Sequence, residues 1–249
     1  MRLIILLIAI TAASQVSAKC GNLCDITWWE TATKENLETE LKSGSDIMAR
    51  SENGNTPMHL SAQSSTAENI AILLAAGADV MVRTDVGSTP LHRAAQNSSH
   101  DVIQVLLDAG ANVMARDEYG ITPLHRAVLR GAPKNIETLL AAGGDVMART
   151  EGGNTPLHWA AKHGRVENIQ VLLSGGADVL AETDSGATPL HWAADCSSCN
   201  SGIVEALLSA GADAKSEDDD GKTPWSFAKE NLKFKGSNGY WALNEARFN

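Results

Sequence analysis

One heptapeptide returns along this chain at a constant interval, and an interval held that strictly leaves few folds open. "TPMHLSA" begins at Thr56, "TPLHRAA" at Thr89, "TPLHRAV" at Thr122 and "TPLHWAA" at both Thr155 and Thr188, each 33 residues after the last. A divergent "TPWSFA" follows at Thr223, 35 residues on. A second series keeps the same step: "DIMAR", "DVMVR", "NVMAR" and "DVMAR" put Met48, Met81, Met114 and Met147 at 33-residue spacing. Self-similarity at such a period marks a stack of supersecondary units, each burying its apolar face on its neighbours.

One block shows what the unit is. Thr155 suits a helix N-cap, its hydroxyl accepting a free backbone N–H, and Pro156 suits the first helical position, where no N–H is needed. "TPLHWAAKHG" therefore reads as a short helix stopping at Gly164. In "RVENIQVLLSGGA", Val166, Ile169, Leu172 and Leu173 fall at helical spacing before Gly175 and Gly176 end the run. That is a second helix, antiparallel to the first. The remainder, "DVLAETDSGA", is short, polar and Gly-containing, and reads as a hairpin-like turn.

"GxTPLHxAA", "LLxxGAD" and the 33-residue period resemble ankyrin repeats over nearly the whole chain after its leader-like start. The resemblance implies an all-α ankyrin-repeat solenoid with five full repeats at 51–83, 84–116, 117–149, 150–182 and 183–217. Residues 19–50 resemble a degenerate N-terminal repeat, with Trp28 and Trp29 in place of the Ala pair, and 218–249 a C-terminal capping repeat. Terminal units of a solenoid diverge because each has only one neighbour to pack against.

The first residues are set apart from this pattern. "MRLIILLIAITAASQVSA" has one Arg, an apolar run from Leu3 to Ile10 and a small-residue end at Ala18, the layout of a secretory signal peptide over 1–18. The run is too short to span a bilayer. The expectation is an exported protein, periplasmic or secreted, monomeric and without membrane insertion after cleavage. Thirty Asp and Glu against 20 Lys and Arg give a net charge of −10, and such a surface repels phosphate backbones, which argues against nucleic acid. Disulfides persist in exported proteins. Two local pairs then suggest Cys20 with Cys24 and Cys196 with Cys199, the latter stapling a lengthened loop in the fifth repeat. The alternative for Cys196 and Cys199, a redox C-x-x-C, fits less well, because such a motif opens a helix and this one follows a helix. Asn97-Ser98-Ser99 matches an N-glycosylation acceptor.

Nothing in the pattern calls for catalysis, a metal or a cofactor. His59, His92, His125, His158 and His191 recur one per repeat, ~10 Å apart if helices stack, so they cannot converge on one zinc ion. The resemblance implies a structural imidazole, hydrogen-bonded to the Thr and the hairpin. The methionine row could suggest a copper(I) site, yet its sulfurs are one repeat apart and the row lapses to Leu180 and Lys215. A gap-filling role suits it better.

What remains is recognition. A solenoid repeats its core, so positions that break the repeat are free to recognise something. In ankyrin domains these lie on hairpin tips and the exposed side of the first helices, which form a concave groove. Carried over by position, this gives Asp85, Glu118, Tyr119 and Ile121 on the tips and Leu129, Arg130, Lys162 and His163 on the helices. The residue after each His runs Leu60, Arg93, Arg126, Trp159, Trp192 and then Phe227. Trp and Arg are the types that most often carry interface energy, although these rings could instead pack between first helices. Arg50, Arg83, Arg116 and Arg149, each followed two residues on by Glu52, Asp85, Glu118 or Glu151, form a charge ladder expected to knit neighbouring hairpins. It breaks at Glu182, and the chain turns acidic through Asp184 to Glu217, Asp218, Asp219 and Asp220, which suits a basic partner there. The resemblance implies a non-enzymatic module holding a protein partner. Two exported groups fit: envelope scaffolds of Gram-negative bacteria, and effectors engaging eukaryotic host proteins.

Overall fold

The computed structural model describes residues 20–130, 132–163, 165–195 and 201–248. The leader-like 1–18 and both Cys196 and Cys199 lie outside them. Every regular element among the described residues is helical. The chain forms two compact units that divide between Glu118 and Tyr119. The first unit holds Ile26–Trp29 and Lys34–Lys42, then the pairs Pro57–Ser64 with Ala67–Ala75 and Pro90–Asn97 with His100–Asp108. The second holds Pro123–Arg130 with Pro133–Ala141, Pro156–His163 with Val166–Ser174, Pro189–Asp195 with Ser201–Ser209, and Pro224–Ala228 with Asn238–Ala246.

Each Thr-Pro opens a first helix at its Pro, as the capping chemistry predicts. First helices bury Leu and an Ala pair completely, as at Leu157, Ala160 and Ala161, and side chains this small let neighbouring first helices approach closely. Second helices bury Ile and Leu, for example Ile70 with Leu73 and Ile169 with Leu172. Their inward stripe differs from the expected one. Val166 and Leu173 are only half-buried, and Asn168 is buried instead. A buried amide needs a partner. Asn168 Nδ2 donates to the Val128 carbonyl at 3.2 Å, and Asn69 Nδ2 to the Ala32 carbonyl at 2.8 Å, each tying a second helix to the preceding repeat.

The connection after each second helix is an Asx turn. Asp145 Oδ1 accepts from the Met147 N–H at 2.8 Å, and the same bond recurs at Asp46–Met48, Asp79–Met81 and Asn112–Met114. The methionine position is thus set by its backbone donor. Met81 and Met147 are half-buried, and their sulfurs face the N–H groups of Asn112 and Asp178 at 3.2 and 3.3 Å. Met48 and Met114 are exposed, so gap-filling applies to half the row.

The hairpins contain no strand among the described residues, yet each is joined to the previous one by a main-chain bond. In the first unit these run from Asp85 N–H to the Asn53 carbonyl at 3.4 Å and from Glu118 N–H to Val86 at 3.1 Å. In the second they run from Glu151 to Tyr119, Asp184 to Gly152 and Asp219 to Ser185, at 3.0 to 3.2 Å.

Candidate interaction surface

Behind the hairpins stands a row of buried imidazoles. His158 Nδ1 accepts from the Thr155 backbone N–H at 3.2 Å, so Nε2 carries the proton and donates to the Ala187 carbonyl of the next repeat at 3.0 Å. His59 bridges Thr56 and Ser88 in the same way, and His191 bridges Thr188 and Lys222. The Thr hydroxyl takes a helix N–H as expected, in a capping box at Thr56 and Thr89, and it also lies 2.9 to 3.1 Å from the imidazole. Burial disfavours the imidazolium: it lowers His59 and His158 to about 4 and depresses His191 as well. Thr and His are thereby committed to the fold, and a hydroxyl so engaged is a poor nucleophile. Among the described residues, no group of three His, Cys, Asp or Glu side chains is placed to hold a metal ion.

The position after each His lies above this row. Trp159 stands edge-on to His125, with ring centres 5.5 Å apart and planes at 71°. Trp192 repeats the contact on His158 at 5.8 Å, and Phe227 on His191 at 6.0 Å. All three aromatic rings are half-buried, so each covers the imidazole of the repeat before it while keeping part of its surface open. In the first unit, Arg93 is half-buried too and its Nη2 donates to Asn55 Oδ1 at 3.1 Å. Arg126 is half-buried in the second.

The other expected contact residues fall into distinct groups. Tyr119 is 52% exposed, and Arg130 and His163 are exposed. Partial burial, followed by the neighbouring Lys162 charge, lowers the His163 pKa. Lys162 lies 5.0 Å from the Trp192 ring centre and 3.5 Å from Asp195 Oδ2. Ile121, expected on the open face, is 8% exposed and is a correction: it closes its hairpin against the fold, as Ser88 does at the same position one repeat earlier. Leu129 is half-buried, not openly exposed.

Asp85 and Glu118 are exposed on their tips, and the charge ladder does knit successive hairpins. Its arginines reach forward: Arg50 Nη2 donates to the Arg83 carbonyl at 2.9 Å and lies 3.4 Å from Asp85 Oδ1. Arg149 donates to the Glu182 carbonyl at 2.8 Å and to Asp184 Oδ1 at 3.0 Å. Asp85 and Asp184 are therefore the partners of the arginines one hairpin earlier, not of a residue two positions before them. Gly153 makes this possible, because at φ 74° a Cβ there would stand 2.3 Å from Asp184 Oδ1 and 2.5 Å from Arg149 Nη2.

Two surface grooves complete the second unit. One runs between second helices and is lined by Pro133, Glu137, Leu140, Glu167, Gln170 and Val171 among others, none of them an expected contact residue. The other, about 400 Å³, is lined by Asp195, Phe227, Glu230, Asn231, Leu232 and Lys233. Sequence reasoning missed Asp195 and Glu230, although Asp195 stands one 33-residue step after Lys162. It also missed Leu232, Trp241 and Phe248, which the terminal unit exposes.

No curated protein matches the chain. The sequence model of the ankyrin repeats matches in three overlapping stretches, residues 31–117, 76–150 and 124–218, which span most of the chain. Helix pairs opened by Thr-Pro, imidazoles bridging to the next hairpin and that match agree: the chain belongs to the ankyrin-repeat family.

Proposed function

We propose that this chain is a non-enzymatic binding module that holds a protein partner on the exposed side of its first helices and on its hairpin tips. The observation that carries this reading is the pair Trp159 and Trp192, aromatic, half-exposed and seated on neighbouring repeats of one unit. Each ring is held on its inner side by an imidazole, so little side-chain entropy is left to lose on binding. Tyr119 and Arg130 extend the same set of residue types. The protein acts as a monomer.

We place this activity after export, in the periplasm or outside the cell. Two features support that setting: the leader-like 1–18, and the bond between Cys20 and Cys24, a linkage that persists in oxidising compartments. Among the described residues no helix is long and apolar enough to cross a membrane. The favoured role is an effector that engages a eukaryotic host protein, the alternative an envelope scaffold.

Affinity capture with the purified protein, run in parallel against periplasmic extract and eukaryotic lysate, tests the reading and separates the two roles. Trp159→Ala with Trp192→Ala is expected to weaken capture at least tenfold while helicity by circular dichroism is kept. Undiminished capture would remove these helices from the interface.

A further inference from the structure

The fourth and fifth repeats treat one position in opposite ways. Lys162, at the end of its first helix, lies 5.0 Å from the Trp192 ring centre and 3.5 Å from Asp195 Oδ2. An aromatic ring and a carboxylate from the next repeat thus hold a cation that the chain itself supplies. One repeat further on, Asp195 takes the place of Lys162, Phe227 that of Trp192 and Glu230 that of Asp195, with the step lengthened to 35 residues by the longer fifth block. The ring and the acid are still there. The lysine has become a second acid.

These three residues line the groove of about 400 Å³, together with Asn231, Leu232 and Lys233. The basic groups nearby are engaged or stand apart. Lys162 pairs with one oxygen of Asp195 and does not line the groove. Lys222 lies 5.8 Å from the Phe227 ring centre, is tied to Asp220 at 3.5 Å and does not line the groove. Lys233 forms part of the wall and makes no ion pair with Asp195 or Glu230. Two carboxylates and an aromatic ring lining one groove attract a guanidinium or ammonium group through charge and ring quadrupole together.

We propose that the groove formed by Asp195, Phe227 and Glu230 receives an arginine or lysine side chain of the bound protein, in the position that Lys162 fills one repeat earlier. The proposal rests on the first-helix side being the docking face and states what the partner presents there: a basic residue entering beside Phe227. The acidic tip at Glu217 to Asp220 lies in the same terminal stretch of the chain and favours a basic segment further.

An acetylated, amidated tetra-arginine peptide is the probe, followed by titration calorimetry at about 150 mM salt, where longer-range attraction is largely screened. The wild-type protein is expected to bind it at least tenfold more tightly than the Asp195→Asn/Glu230→Gln variant, and not to bind tetra-glutamate. Glu137→Gln with Glu167→Gln, which removes the two acids of the other groove, is expected to leave binding unchanged. Asp195→Lys, which restores a cation from within at the place Lys162 holds one repeat earlier, is expected to abolish it. Equal affinity in Asp195→Asn/Glu230→Gln, or an equal loss in Glu137→Gln/Glu167→Gln, would overturn the proposal, the second because it reveals net charge alone. Peptide binding that follows Asp195 and Glu230 while partner capture ignores Trp159 and Trp192 would refute the docking face and leave the groove standing. The reverse result would refute the groove and leave the docking face.

Discussion

The first and the last repeats described cover their apolar surfaces with different chemistry. At the N-terminal end, Cys20 is bonded to Cys24, Trp29 is fully buried, and its indole N–H donates to the Leu23 carbonyl at 3.0 Å. Glu40 accepts from Ser45 Oγ and from the Asn22 backbone and side chain at 2.6 to 3.1 Å, and these bonds, the Ser45 hydroxyl foremost, hold its pKa below the usual carboxylate value. At the C-terminal end an aromatic cluster does the covering. Trp225 and Tyr240 lie 4.8 Å apart, and the Arg247 guanidinium is sandwiched 4.4 Å from both Trp225 and Phe248. That closure leaves Leu232 83% and Phe248 73% exposed. One end is sealed by directional bonds and a covalent link, the other by stacked rings with apolar surface left over.

The sharpest way to break this comparison is to remove the ring at each end. Trp29→Ala is expected to cost about 3–5 kcal/mol, the usual range for a buried aromatic. Trp225→Ala, half-buried, should cost about half of that, since less area is returned to water. Chemical denaturation of both variants measures the difference, and equal losses would show that the C-terminal rings seal as completely as the N-terminal bonds.

The imidazole row belongs to neither end and should respond to pH in both units. His59 and His158 ionise at about 4 in the folded protein against 6.5 when free, so the unfolded chain binds more protons between those values. Their contribution is complete above pH 6.5 and is lost as pH falls towards 4, about 3 kcal/mol for each histidine. Denaturation midpoints measured from pH 7 to pH 4 should fall through that window. His158→Gln should flatten the dependence, and an unchanged slope would mean that the imidazole is not held neutral.

The smallest effect is covalent. Cys20→Ser with Cys24→Ser opens a short loop and should cost about 2 kcal/mol on the chain-entropy account. Hydrogen exchange is expected to quicken from Leu23 to Trp29 while the segment around Tyr240 keeps its protection. Loss of protection at both ends would show that the two caps are not independent.

The helices were legible because Thr-Pro marks each start in local chemistry. So was the histidine row, since a residue repeated without variation in all five full repeats belongs to the core. Asn168 was not legible: an amide looks solvent-facing until the carbonyl 40 residues earlier is seen to receive it. Ile121 misled because its position varies from Asn55 and Asn154 to Lys222 in other repeats, whereas here, as at Ser88, the side chain is covered. The groove beside Phe227 depends on which side chain of one repeat overlies the ring of the next, a relation that composition does not carry. The position after each His was legible as unusual, and the structure adds that its aromatic rings look inward as well as out.

The main-chain bonds that join successive hairpins use no side-chain atom. Glu118, Glu151 and Asp184 each donate from the backbone, and the carbonyls that receive them belong to Val86, Tyr119 and Gly152, three residues with nothing chemical in common. A substitution at such a tip changes what is displayed without loosening the bond that positions it. Mutational drift can therefore rewrite the contact surface one hairpin at a time while register is preserved, and a lineage carrying this architecture could change partners faster than it changes shape.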